Sequence, residues 1–423
     1  MSTMKSIYSK QFEGKLWLEL RNGRTGKLEN VVETQNFAAN QTNEYGKWLQ
    51  RNAFKTGLST LGVTDIDYSP HQAANAIVLT DYTGTEDPSN EWYMSGKTIG
   101  YAIKATYAGT DIWRGTVATT QLQATSALTK WTFDWPTHAG NGTIGSVGWV
   151  DSQSQTLSAT EPVFRSTMTA LSSHTSAGNW TSFARASNTT AFGNTGTTVV
   201  YVLDGLSYAQ TTTFNVNAQF TAVRGLAWDS TNNFLWVIGD NSSARRIAAY
   251  NSSGVLQTGP FTITTRSYIR LVHDGTSLWS ITQDSGSNHS AWKINTTDGT
   301  DMTNFQFVTN TSSVVCGLAW NNNLLWARYS GTTGFQAWDT SGNRKVVEIS
   351  TSVYTPSAAN YSTNLSSAYD FDFINSSHIA VAQATNMIYR CRLDGMGTRA
   401  LLPSPVTKNN TQTLKLIYQI NYT

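Results

Sequence analysis

The stretch Val223–Gly254, VRGLAWDSTNNFLWVIGDNSSARRIAAYNSSG, constrains the fold most, because its plan recurs three times downstream. Each copy has an apolar strand ending near an Asp or Asn, a polar turn, a second strand built round an aromatic, a polar loop and a third strand. Further copies begin at Tyr268 (YIRLVHDGTSLWSITQDSGSNHSAWKIN), Val315 and Ala368. The first strand ends at Asp229, Asp274, Asn321 and Ile374, in steps of 45, 47 and 53 residues. Three alternating strands at this period predict an all-β array of propeller blades. A lone copy cannot bury its inner strand, so the copies must close on one another.

Gly225-Leu226-Ala227-Trp228-Asp229, Leu235-Trp236-Val237 and Arg392-Leu393-Asp394-Gly395 carry a resemblance to the NHL and YWTD type of propeller. The resemblance runs from Val223 to Gly395 and implies fold without activity, since propellers host unrelated functions. Val199–Gly205 matches the third strand of one more blade, so five blades are expected, or six if Pro162–Ala170 belongs to another.

Only 13% of the 423 residues are charged, against 12% Trp, Tyr and Phe. Solubility must therefore rest on the hydroxyls and amides of Ser, Thr and Asn. Residues 1–150 hold 13 basic and 13 acidic side chains, and 151–398 hold 13 and 14, a balance that argues against a nucleic-acid partner. Cys316 and Cys391 lie in different repeats with no metal or redox spacing, and read as buried free thiols. The start, MSTMKSIYSKQFEGK, has no apolar core of a signal peptide, and no run reaches the roughly 18 apolar residues of a membrane span. Synthesis and folding in a cytoplasm, without membrane insertion, are the expectation.

Ahead of the repeats, Leu16, Leu18 and Leu20 alternate with Trp17 and Glu19 before a turn at Asn22-Gly23, which predicts a strand with one buried face entering a hairpin. Tyr45, Trp48, Leu49 and Ala53 have helical spacing, predicting one short helix over Asn40–Phe54. Strands are expected at Ala76–Leu79, Thr98–Ala105 and Ile144–Val150, with Trp131, Phe133 and Trp135 sharing a face. Gly140, Gly142 and Gly145 fit a dinucleotide fingerprint, but a strand pattern follows where a helix is required, so they read as a hairpin turn.

The opening strand within Leu16–Glu29, Arg114-Gly115-Thr116 and Asn141–Gly148 together resemble a small β-sandwich of tailed-phage virion proteins. That family closes with a lysine-bearing turn and a long alternating strand, which are missing after Val150. They reappear as Pro405–Thr411 and Leu414, Leu416, Tyr418, Ile420 and Tyr422. The resemblance therefore implies a sandwich of residues 1–151 plus 399–423 with a propeller, 152–398, inserted into it.

Hydrolase, P-loop, zinc-protease and thiol-redox motifs are missing, and the six His are scattered, so neither a metal nor a cofactor is expected. Thr282–Gly286 approaches a sialidase aspartate box, but its aromatic, Trp292, comes late. Asn-x-Ser/Thr triplets are abundant at the level this composition gives by chance. Trp228, Trp236, Trp279, Trp320 and Trp326 fall where core is expected. In this type of blade the start of the inner strand borders the central channel, which makes Arg224, Arg270 and Asp370, with His273 nearby, the candidate ligand-binding residues. The expected function is that of a phage virion component whose propeller touches host-surface glycan or a neighbouring virion subunit. The alternatives are a displayed propeller glycosidase, for which Asp370 and Asp372 alternate toward one side of a strand, and a capsid decoration or collar protein.

Overall fold

The computed structural model describes residues 12–36, 76–84, 96–125, 128–150, 155–157 and 161–422, the last span excepting short loops. These residues form an all-β, propeller-like structure of antiparallel sheets. The helix expected over Asn40–Phe54 lies outside the described residues. The chain divides into two compact units: Met1–Ser166 with Lys345–Val347 and Asp394–Thr423, and Thr167–Arg344 with Glu348–Leu393.

In the first unit, side-chain alternation fixes the register. The strand Gln412–Tyr422 lies between Phe12–Asn22 and Leu128–Trp135. Three cross-strand rows result: Leu16, Tyr418 and Trp131; Leu18, Leu416 and Phe133; Leu20, Leu414 and Trp135. All nine side chains are buried, so a one-residue slip of the last strand would turn its apolar set to water. Leu28–Asn36 extends this sheet beyond Phe12–Asn22. A second sheet runs Thr398–Lys408, Gly142–Val150, Ala76–Thr80 and Thr98–Ile103. One core draws on both, with Ile77, Leu79, Ile144, Val147 and Trp149 against the three rows. Trp149 presents an edge to Phe133 at 5.5 Å and to Tyr418 at 5.4 Å. Each such aromatic contributes roughly 1.5–3 kcal/mol by burial.

The second unit is a succession of meanders. Ser182–Arg185, Ala191–Asn194, Val199–Leu203 and Gln210–Asn215 form one sheet; Ala222–Asp229, Phe234–Asn241, Ala244–Tyr250 and Leu256–Ile263 the next; Leu271–His273, Leu278–Ser285, Asn288–Ile294 and Asp301–Val308 a third. Val315–Asn321, Leu324–Tyr329, Gly334–Trp338 and Val347–Thr355 follow in the same order. Ala368–Asn375, His378–Gln383 and Met387–Asp394 take their fourth strand from far upstream, Glu161–Thr175, which also pairs with Val347–Thr355 and so joins the last two meanders into one sheet.

Neighbouring sheets share their cores. Val202 and Phe192 pack with Leu226 and Val237; Trp236 and Ile247 with Leu271 and Leu278; Ile281 and Trp279 with Leu318 and Trp338. Phe335 meets Phe371 with ring centres 4.6 Å apart, and Ala380 and Ile388 pack with Phe183 and Leu203 of the first sheet. The glycines of the repeat have a steric cause. A Cβ on Gly225 would lie 2.8 Å from the Leu271 amide nitrogen, and one on Gly317 would lie 2.8 Å from the Phe371 ring. First strands of adjacent sheets approach so closely there that only hydrogen fits.

Candidate functional site

The repeat register places four residues equivalently: Gly225, Arg270, Gly317 and Asp370 each stand four positions before the first strand's closing residue. Glycine therefore alternates with a charged side chain along successive first strands. Arg270 Nε donates to the Cys316 carbonyl at 2.8 Å, while Nη1 donates to the Arg224 carbonyl at 2.8 Å and to that of Ile269. One guanidinium thus ties the strands on both sides of its own. Asp370 does the complementary task with acceptors. Its Oδ2 accepts from the Phe183 amide at 2.8 Å, and Oδ1 from the Leu318 amide at 3.2 Å and from Phe371.

Two residues on, Asp372 repeats the device, accepting from the Arg185 amide at 2.8 Å and from Phe373. The chemistry follows from strand geometry. First strands of adjacent sheets pack side by side without a backbone ladder between them, so their inward amides and carbonyls need side-chain partners. Asp370 is only 3% exposed. Burial pushes its carboxyl up to about 7, against the pull of Arg270 and the three amides, and pushes Asp372 up to about 6.

Of the residues expected to border the channel, Arg224 and Arg270 belong to adjacent repeats, while Asp370 lies in Ala368–Asn375, beside Val315–Asn321 and Ser182–Arg185. Arg224 is half-exposed and pairs with Asp240 at 2.7 Å, a carboxylate shared with Arg245. His273 is placed elsewhere, at the closing end of its strand. Its Nδ1 accepts from the Gly275 amide at 3.2 Å, so Nε2 carries the hydrogen and faces Asp229 Oδ2 at 3.5 Å. Burial lowers the His273 pKa, against the pull of Asp229 and Asp274, and favours the neutral ring.

The closing aspartates cap the turns that follow them. Asp229 accepts from the amides of Thr231 and Asn232, and Asp274 from those of Thr276 and Ser277 and, at 2.8 Å, from the Trp279 indole. Burial raises the Asp274 carboxyl, but these donors outweigh it and hold it at about 2. The Asp and Trp of the repeat are thus one hydrogen-bonded device, with Trp236, Trp279 and Trp326 buried and Trp228 and Trp320 partly so. Cys316 and Cys391 are buried free thiols. Among the described residues, no group of three His, Cys, Asp or Glu could hold a metal ion, and no helix is long and apolar enough to cross a membrane.

The first unit holds a cleft that sequence reasoning did not single out. It has a volume of about 460 Å³ and is lined by Tyr107, Arg114, Asp134, Pro136, His138 and Thr413 among others. Its wall is the loop from Tyr107 to Gly115. Tyr107 Oη accepts from the Asp111 amide at 3.1 Å, the Tyr107 amide donates to Thr116 Oγ1 at 2.8 Å, and Asp111 Oδ1 accepts from the Trp113 amide. The Trp135 indole donates to the Trp113 carbonyl at 3.2 Å. Gly115 lies so close over this indole that a Cβ would stand 2.7 Å from its ring carbons. The only sequence signal was Arg114-Gly115-Thr116, read as a strand motif; the remaining wall comes from residues remote along the chain.

No family model matches the chain, and neither does any curated protein. Among solved structures it is similar to the glutaminyl cyclase of Myxococcus xanthus, at 13% identity and a TM-score of 0.42 over 55% of this chain and 98% of that one. So distant a likeness carries no functional argument.

Proposed function

We propose that this chain is a structural protein of a bacteriophage particle: a β-sandwich of residues 1–151 plus 399–423 anchors it, and an inserted five-bladed propeller, residues 152–398, contacts host-surface glycan or a neighbouring virion subunit. The blade count rests on the five shared cores that lead from the sheet of Ser182–Arg185 back to itself. On that count Glu161–Thr175 is the outer strand of the last blade and not part of a sixth.

The observation that carries the reading is the position of Gln412–Tyr422 between Phe12–Asn22 and Leu128–Trp135, which builds strands from before and after the repeats into one sheet. A guest held by two connections can vary without disturbing its host. The carboxylates favour a structural role over a glycosidase. Asp370 and Asp372, the pair considered for hydrolysis, are both bound to backbone amides of other strands. An acid and a base for glycoside cleavage must instead face a shared space with room for sugar and water.

Gold-labelled antibodies against residues 152–398 should decorate purified particles at a defined place. Particles assembled with those residues deleted should adsorb to host cells more slowly. Particles lacking the protein altogether would end the virion reading, and normal adsorption by the deleted particles would end the adhesive part of it.

A further inference from the structure

The cleft of the first unit carries an unanswered charge. Among the described residues, Arg114 makes no side-chain hydrogen bond or ion pair, and its Nε is buried without a partner. Its guanidinium lies 4.3 Å over the Tyr107 ring, which holds the planar group in place by cation–π attraction. Tyr107 is itself locked at its hydroxyl and its amide. A fixed guanidinium with free donors is suited to a carboxylate, which can take two parallel N–H bonds from it.

The rest of the lining narrows the ligand. Asp134 supplies a carboxylate that Lys415 reaches at 3.5 Å, and Thr116, His138 and Thr413 add short polar partners. This lining offers one free cation beside acceptors for hydroxyl hydrogens. A phosphomonoester dianion or a peptide rich in acids would meet Asp134 with more negative charge than one guanidinium answers. A sugar acid meets both needs, with one carboxylate and several hydroxyls on a ring that can lie along Pro136. The volume of about 460 Å³ falls in the ordinary range for small-ligand sites and accommodates one or two sugar rings.

We propose that this cleft, separate from the propeller residues considered above, binds a uronic-acid unit of a saccharide, with its carboxylate on Arg114 and its hydroxyls against Asp134 and the neighbouring polar groups. The site stands whether or not the propeller contacts glycan, since no residue of the second unit takes part.

Titration calorimetry and ligand-observed NMR on the full chain test it, with methyl galacturonide as probe and neutral methyl galactoside and inorganic phosphate as comparisons. Methyl galacturonide should saturate one site, weaken at high salt, and outcompete phosphate. Arg114→Ala and Arg114→Gln should each weaken it about tenfold or more, the scale of a lost charged hydrogen bond, while Arg21→Ala, which removes a surface pair with Glu19 outside the cleft, leaves it unchanged. Thermal melts of the variants separate loss of the site from loss of the fold. An equal response to phosphate would overturn the saccharide assignment. No saturable binding at millimolar probe, or undiminished binding by both folded Arg114 variants, would overturn the site.

Discussion

Asp370→Ala tests the claim that a charged residue at the glycine register holds neighbouring strands together. The carboxylate accepts two amides from other first strands, Phe183 at 2.8 Å and Leu318 at 3.2 Å. Alanine leaves both donors in a place where the native residue is 3% exposed. An orphaned buried donor costs about 1–3 kcal/mol, so the two together cost about 2–6 kcal/mol. For a unit of this size each kcal/mol lowers the melting temperature by about 2–4 °C, and a fall on the order of 10 °C is expected. Differential scanning calorimetry of the full chain reads it directly. Asp370→Asn, which keeps one acceptor oxygen, should fall between alanine and the native protein. Arg224→Ala, which removes a half-exposed ion pair, is the control and should cost less than about 1 kcal/mol. An alanine variant that melts within about 2 °C of the native protein would show that water replaces the carboxylate without loss, and the tie would be incidental.

Deleting Thr411–Thr423 removes the strand paired on both sides by Phe12–Asn22 and Leu128–Trp135; the Trp131 and Trp149 fluorescence of the first unit should become solvent-exposed, and unchanged emission would contradict the pairing. The Asp370 and Asp372 carboxyls, raised by burial to about 7 and about 6, hold protons more tightly folded than unfolded, where such groups titrate near about 4. Their contribution is therefore fully present below about pH 4 and lost as pH rises toward about 7. The stability advantage of the native protein over Asp370→Asn in urea should shrink across that window, and an advantage that grows with pH would refute the assignment. Gly115→Val places a branched side chain against the Trp135 indole, where even a Cβ would stand at 2.7 Å; overpacking of this kind costs about 1–3 kcal/mol, and an unchanged urea midpoint would mean that the loop gives way freely.

Periodicity made the strands legible. Leu16, Leu18 and Leu20, and Trp131, Phe133 and Trp135, alternate because one face is core, and both trios are buried. The repeat was equally open to reading, since Gly225 and Gly317 answer a steric need that recurs. What the pattern could not convey was the role of Arg270 and Asp370 at that same register. A charge at the start of an inner strand looks solvent-facing along one dimension; only the adjoining strands reveal backbone groups awaiting it. His273 looked like a neighbour of those residues because three positions are few, yet along a strand they carry it to Asp229. The cleft left almost no trace, for Tyr107, Asp134 and Thr413 share no period and meet only through tertiary structure.

The strand Glu161–Thr175 finds the last of its partners in Met387–Asp394, and Phe12–Asn22 the last of its own in Gln412–Tyr422. On a ribosome moving at about 5–20 residues per second, the early strand of each pair must wait while about 210 and about 390 further residues, respectively, are added before the late one appears. Neither unit can therefore be completed by a chain that stops short. A polypeptide released early exposes unpaired strand edges, the signal by which proteases and chaperones sort nascent products. Each unit therefore acquires its finished surface only once its late strand has been made, so copies cut short before Met387 or Gln412 are withheld from any assembly that recognises that surface.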